Sequence, residues 1–124
     1  MEAPSPARLF AAAAGAFLLL LGVLGFFYYA SFGPLDRYEE ALGGIEVNGW
    51  INLLYIAVGA VGILVAGVSS RTYALCVGVL FVLLAILGWG SAALNLVVGL
   101  LGLAAAAGTR QRSEPRAKPA GKRA

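Results

Sequence analysis

Histidine is absent from the 124-residue sequence, and cysteine occurs once, at Cys76. The first absence removes the commonest metal ligand and the usual acid–base group near neutral pH. The second excludes a disulfide within the chain. Cys76 sits inside an apolar stretch and reads as a small packing hydrophobe rather than a reactive thiol. Charge is also scarce, at 12% of residues, against about 25% in an average soluble domain. No charged residue falls within Leu9–Gly33, Val47–Ser70 or Thr72–Thr109, blocks of 25, 24 and 38 residues. Catalysis wants a nucleophile beside a base, a metal, or a paired acid and base. Only Asp36, Glu39, Glu40 and Glu46 could contribute, all on one loop with no visible partner. The expectation is therefore a protein that is not an enzyme, with no catalytic, cofactor-binding or metal residues.

What the sequence has instead is apolar surface, 60% of its residues. A helix needs roughly 20 apolar residues to cross a hydrocarbon core of about 30 Å. The first two blocks suit one crossing each, and the third suits two short ones. A soluble helical core would need a polar stripe along each helix, and these blocks are apolar all round. The expected fold is all-α: a polytopic membrane protein with four transmembrane helices in a compact bundle, with an arrangement as two related hairpins among the options.

Taken in order, residues 1–8 form a short N-terminal tail. A basic residue, Arg8, then precedes an apolar run, as in a secretory signal. That run is about as long as a full span, however, and it ends in Phe26-Phe27-Tyr28-Tyr29, where cleavage would want small residues. It reads as a retained first span over 9–29, with the aromatic quartet at the membrane interface. The loop 30–46 carries four acids against Arg37, and Pro34 and Gly43-Gly44 bracket a short helix over Leu35–Leu42. Its acids could attract a cation, but their spacing matches no calcium-loop pattern, so they read as a solvated surface. The second span covers 47–68, and Ser69–Arg71 make a tight turn. The third covers 72–87. Gly88-Trp89-Gly90-Ser91 punctuates the long block, with Trp89 placed at the interface, and the fourth span covers 92–107. Spans three and four are about 24 Å long, so the bilayer would thin around them.

From Thr109 the composition changes to Arg110, Arg112, Arg116, Lys118, Lys122 and Arg123 against Glu114, with two prolines. Such a segment, 109–124, cannot bury enough surface to fold. It reads as a disordered basic tail whose six cationic residues are candidate contacts for anionic lipid headgroups. The membrane is a closer polyanion than nucleic acid, which is not an expected partner. Four spans put both termini on the side of the Ser69–Arg71 turn. That side collects eight basic positions, whereas the other has Arg37 amid four acids. The positive-inside rule then places both termini in the cytoplasm and the acidic loop outside. Richness in Ala, Gly, Leu and Val goes with a GC-rich bacterial genome, which makes the membrane a bacterial cytoplasmic one.

Within the spans, glycines recur in pairs: Gly22 and Gly25, Gly59 and Gly62, Gly99 and Gly102. Small residues let helix backbones approach closely, which replaces a hydrophobic drive that lipid does not supply. The pairs are candidate packing positions. A repeat can also mark a transport path at its interface, but glycine is common in spanning helices and the packing reading is preferred. Asn52, Tyr55 and Asn95 are candidate intramembrane polar residues. Tyr55 lies three positions after Asn52 and so shares its helical face. In hydrocarbon these groups need partners, and a structural interhelical hydrogen bond is preferred to the lining of a polar pathway.

GVLGF (22–26), NLLYIAVGAVG (52–62), RTYALCVGVLFVLLAILG (71–88) and LNLVVGLLGL (94–103) follow one another over most of the span region. In that order and spacing they resemble the small actinobacterial membrane proteins classed as domain of unknown function 4383. The resemblance implies four spanning helices and no assigned activity. It also implies a His four residues before the glycine of the second and fourth spans. Tyr55 and Asn95 stand there instead, so the ligation or proton relay that such a pair would carry does not transfer. The functional expectation is an integral membrane protein without catalysis, acting through helix packing with itself or with other membrane proteins. The alternative is a small oligomeric transporter or channel for a neutral solute or lipid.

Overall fold

The computed structural model describes residues 4–41 and 44–109. The element order is α1 (Pro6–Phe26), β1 (Glu39–Ala41), β2 (Ile45–Val47), α2 (Gly49–Val65), α3 (Ser70–Leu87) and α4 (Ala92–Ala107). Four helices make the body, and the two strands pair antiparallel as one small hairpin.

The helix ends follow from their caps. α1 begins at Pro6 rather than Leu9, because the Ser5 hydroxyl accepts from the Arg8 N–H at 3.1 Å and proline is pre-set for the first helical position. α2 begins at Gly49 rather than Val47: Asn48 is extended and its Oδ1 accepts from the Ile51 N–H at 2.8 Å. α3 ends at Gly88, left-handed at φ 74°, with the Trp89 N–H returning to the Leu84 carbonyl at 3.1 Å. That is the glycine-closed helix end in which the following residue bonds back across the last turn. Gly90 is left-handed too, at φ 78°, and the two glycines together reverse the chain into α4.

The short helix expected over Leu35–Leu42 is not formed over the described residues 35–41. The carbonyls of Leu35 and Arg37 instead accept from the Asn48 side chain, at 2.9 and 3.1 Å, and so are withdrawn from helical bonding. Gly44 has φ 117°, a conformation that suits glycine and turns the chain into a hairpin. Glu40 stands directly opposite Glu46, a like-charge pairing that weakens a hairpin. Anchors to the helices, not strand propensity, hold this loop.

The helices pack as two hairpins, α1 along α2 and α3 along α4, with sparser contact between the pairs. Glycine sets both crossings. A Cβ on Gly15 would lie 2.8 Å from the Gly59 carbonyl oxygen, and one on Gly59 would strike the Leu19 backbone. In the second hairpin a Cβ on Gly102 would lie 2.8 Å from the Ala74 carbonyl oxygen and 3.1 Å from the Gly78 Cα. These are backbone-to-backbone contacts, which only the absence of side chains permits.

The interior holds Phe10, Leu18, Leu21, Val47, Ile51, Val77 and Val98 together with glycine, alanine, Tyr55, Tyr73, Phe81 and three asparagines, while many other large aliphatic side chains are exposed. Leu64 is 78% exposed, Leu87 77% and Ile86 73%. α1 and α3 are each long and apolar enough to cross a membrane, and in their most apolar windows only 33% and 28% is buried. α2 and α4 are apolar but shorter, at 17 and 16 residues.

Candidate functional site

Because i and i+3 differ by about 60° around a helix, Asn52 and Tyr55 share a face yet reach different neighbours. Tyr55 turns towards α4. Its hydroxyl donates to Asn95 Oδ1 at 2.7 Å, and the Asn95 amide donates to the Trp89 carbonyl at 2.8 Å. Tyr55 also stacks on Phe81 of α3, with ring centroids 5.9 Å apart. Among the described residues the α2 and α4 backbones scarcely approach each other, so a side chain as long as tyrosine is what spans the gap. Both partners are about 1% exposed, which makes this a buried bond between the two hairpins.

Asn52 turns towards α1. It is fully buried, and its amide donates to the Tyr29 carbonyl at 3.0 Å, just past the end of α1. Its Oδ1 has no hydrogen-bond partner among the described residues. That oxygen lies against Gly25, where any Cβ would collide with it.

A second bond between the hairpins comes from Tyr73 on α3. Its hydroxyl donates to the Val58 carbonyl of α2 at 2.7 Å, and its ring end fills the space above Gly62. The six candidate packing glycines are all buried. Gly22 and Gly25 face Asn52 and Ile56; Gly59 faces Gly15 and Leu19; Gly62 faces Ala11 and Tyr73; Gly99 and Gly102 face α3 around Gly78. Their partners thus lie within this chain, and helix packing with another molecule has to use other surfaces.

The loop forms a polar cap at one end of the helices. Asn48, 1% exposed, caps α2 with its oxygen and holds the Leu35 and Arg37 carbonyls with its amide. The Trp89 indole donates to the same Leu35 carbonyl at 2.8 Å, so Trp89, expected only to sit at an interface, ties the α3–α4 turn to the loop. The Trp50 indole donates to the Gly33 carbonyl at 3.0 Å and stands edge-on to Phe32. An asparagine directly before an apolar helical run is a cap signal, and it could have marked Asn48. Replacing Trp89 with Phe should cost about 1 kcal/mol. Hydrogen exchange should then quicken over residues 35–41 and stay unchanged in α1. Equal protection in both proteins would mean that Asn48 alone holds the loop.

At the opposite end, the Arg71 Nε–H donates to the Ala106 and Thr109 carbonyls at 3.2 and 3.3 Å, a cation at the negative end of α4. Thr109 Oγ1 accepts from the Ala7 N–H at 2.8 Å and donates to the Ala105 carbonyl at 2.7 Å. These bonds pin the start of α1 to the end of α4. Arg110, Arg112, Arg116, Lys118, Lys122 and Arg123 lie outside the described residues. No three His, Cys, Asp or Glu side chains among the described residues are placed to hold a metal ion.

A groove of about 680 Å³ runs between α1 and α4, lined by apolar side chains that include Pro6, Phe10, Phe17, Leu94 and Leu101. Asn52, Tyr55 and Asn95 do not line it.

A family model described as domain of unknown function (DUF4383) matches residues 8–95. The match takes in α1 to α3, the cap and the start of α4. It ends at Asn95, so most of the LNLVVGLLGL stretch lies beyond it. No curated protein and no solved structure matches the chain.

Proposed function

The chain belongs to the DUF4383 family, and on that footing we propose that it is a non-catalytic integral protein of the bacterial cytoplasmic membrane that crosses the bilayer four times. The observation that carries this reading is the apolar exterior: large aliphatic side chains such as Leu20, Leu64, Ile86 and Leu87 are exposed on the helices, while glycine backbones and buried asparagines meet inside beside Leu18, Ile51 and Val77. In water so continuous an apolar exterior would drive aggregation. In lipid it costs nothing, and small residues inside are what brings helices together.

The charges supply the orientation. The acidic cap, with Asp36, Glu39, Glu40 and Glu46, faces out of the cell, and Arg8, Arg71 and the basic tail face the cytoplasm. The tail rests on anionic headgroups. Since the glycines are occupied within the chain, contacts with a second copy or with other membrane proteins use the outer apolar face or the cap. Asn52, Tyr55 and Asn95 act as structural bonds: each is engaged with another part of the chain, and none lines the α1–α4 groove. That favours packing over a solute pathway.

Single-cysteine variants test the threading. In a Cys76→Ser background, Glu39→Cys should react with a membrane-impermeant maleimide on intact cells. Ser69→Cys should react only after permeabilisation. The native Cys76, on the outer face of α3, should resist the reagent until the membrane is dissolved. Labelling of both variants on intact cells, or recovery of the protein in the soluble fraction, would overturn the reading.

A further inference from the structure

We propose that residues 27–35 do not stand in water but lie along the outer leaflet, at the boundary between headgroups and hydrocarbon, as an apolar collar at the outer ends of the short helices α2 and α4. The proposal rests on the membrane reading above and changes the role of half the loop. The interface extends from the aromatic end of α1 as far as Leu35, and only the part from Asp36 onward is aqueous.

Exposure is the first argument. Phe27 is 82% exposed and Leu35 57%, and Tyr28, Phe32 and Trp50 are exposed beside them. Such side chains leave water only if something apolar covers them. The fold fixes them where they are. The Gly49 N–H donates to the Ser31 carbonyl at 2.8 Å. A Cβ on Gly49 would lie 2.8 Å from the Ser31 carbonyl oxygen and 2.9 Å from that of Ala30, so the loop backbone rests directly on the first turn of α2. Phe32 folds back onto both helix ends, its ring centroid 6.0 Å from that of Phe26 and 5.0 Å from that of Trp50. Its ring therefore stands level with the helix ends rather than above them.

The polar groups that lipid would penalise are already engaged. The Trp50 indole donates to the Gly33 carbonyl, and the Trp89 indole and the Asn48 amide both donate to the Leu35 carbonyl. A backbone carbonyl and an indole N–H that satisfy each other need no water.

Length and charge identify the occupant as lipid. α1 has 21 residues, about 31 Å of helix, and matches a hydrocarbon core of about 30 Å. α2 and α4 have 17 and 16 residues, about 25 and 24 Å, and fall about 5 Å short. Both begin on the side of the loop, and the loop meets both starts: Phe32 at Gly49 and Trp50, and Leu35 at Trp89, just before α4. Apolar surface is thus added where the short helices lack it. No charge occurs over 27–35, and Asp36, Arg37, Glu39 and Glu40 follow at once. A step from apolar to charged side chains is what a bilayer surface, with its polar headgroups above the hydrocarbon, accommodates.

The test uses the full chain in phosphatidylcholine vesicles. In a Cys76→Ser background, one nitroxide label at a time is placed through Phe27→Cys, Leu35→Cys, Glu40→Cys or Val79→Cys. All four sites are exposed, so the fold should tolerate the label. Glu40 marks water, and Val79, midway along α3, marks hydrocarbon. Collision with oxygen, which concentrates in hydrocarbon, is compared with collision with a neutral nickel chelate, which stays in water. The oxygen-to-nickel ratio at Phe27→Cys and Leu35→Cys should exceed that at Glu40→Cys by about tenfold, because a polar solute is excluded from an apolar layer. A ratio at either site equal to that at Glu40→Cys, with Val79→Cys still rich in oxygen, overturns the collar and leaves the membrane reading intact. Little access of either reagent to Phe27→Cys and Leu35→Cys overturns it in favour of a second copy covering this surface. Nickel access at Val79→Cys equal to that at Glu40→Cys overturns the membrane reading itself.

Discussion

Gly59→Val will open the first hairpin, and the variant will melt far below the parent protein in detergent or fail to accumulate. A Cβ at position 59 meets the Leu19 backbone and the Gly15 carbonyl. A clash with a flexible side chain is relieved by a rotamer change, but a clash with backbone requires the whole helix to move. Adding atoms to a packed core costs typically 1–3 kcal/mol, occasionally more, and the absence of a movable partner here puts the loss at or above about 3 kcal/mol. Displacing α1 from α2 also strains the Asn52 bond to Tyr29 and takes Gly25 off Asn52 Oδ1. The comparison that isolates this effect is Gly67→Ala. Gly67 lies in the α2–α3 turn, with only the Arg8 guanidinium 3.8 Å from where its Cβ would sit, and the change should stay within about 0.5 kcal/mol. Denaturant titration of both proteins in the same detergent would decide it. Equal stability would show that α1 and α2 do not cross at Gly59.

Tyr55→Phe and Asn95→Leu will each weaken the association of the hairpins, and their effects will not add. Removing the hydroxyl leaves Asn95 Oδ1 buried without its donor. Removing the amide orphans both the Tyr55 hydroxyl and the Trp89 carbonyl. A buried group stripped of its partner costs about 1–3 kcal/mol, while interhelical hydrogen bonds in membranes average nearer 0.6 kcal/mol and reach about 1.7. Tyr55→Phe should therefore cost about 1 kcal/mol, and Asn95→Leu about 2. The double variant loses donor and acceptor together and should fall about 1 kcal/mol short of the sum, the coupling typical of residues in contact. Strict additivity would mean that the two side chains do not meet. Hydrogen exchange adds a second readout. Breaking this bond should loosen α2 against α4 and leave each hairpin's internal crossing protected, because those crossings rest on glycine backbones that neither substitution touches.

The two variants also mark how far the sequence could be read. Four apolar helices and the Gly88–Gly90 reversal were legible, because each rests on local chemistry: length, charge and left-handed glycine. The turn expected at Ser69–Arg71 falls instead at 66–69, with Ser70 and Arg71 already in the first turn of α3. Asn52, Tyr55 and Asn95 were legible as groups needing partners. Which partners they have was not, because a polar residue on an apolar helix specifies a need and not a direction. Tyr55 and Asn95 are 40 positions apart and meet only because the hairpins settle at one depth. The glycine pairs were visible too, but their spacing is equally compatible with a neighbour in the same chain or in another. The loop departs from the expected helix because Asn48 claims two of its carbonyls from 13 and 11 residues away, an effect no local window contains.

By itself, then, the sequence determined the four helices, their apolar character and the opposition of an acidic and a basic end. These depend on each residue's own solvation and on neighbours within a few positions. The tertiary structure alone decided which glycines meet within each hairpin, that two tyrosines bond the hairpins together, and that a groove remains between α1 and α4. Those outcomes depend on which backbones touch, and contact between helices is set by the fit of whole surfaces, glycine against glycine, rather than by any residue read alone.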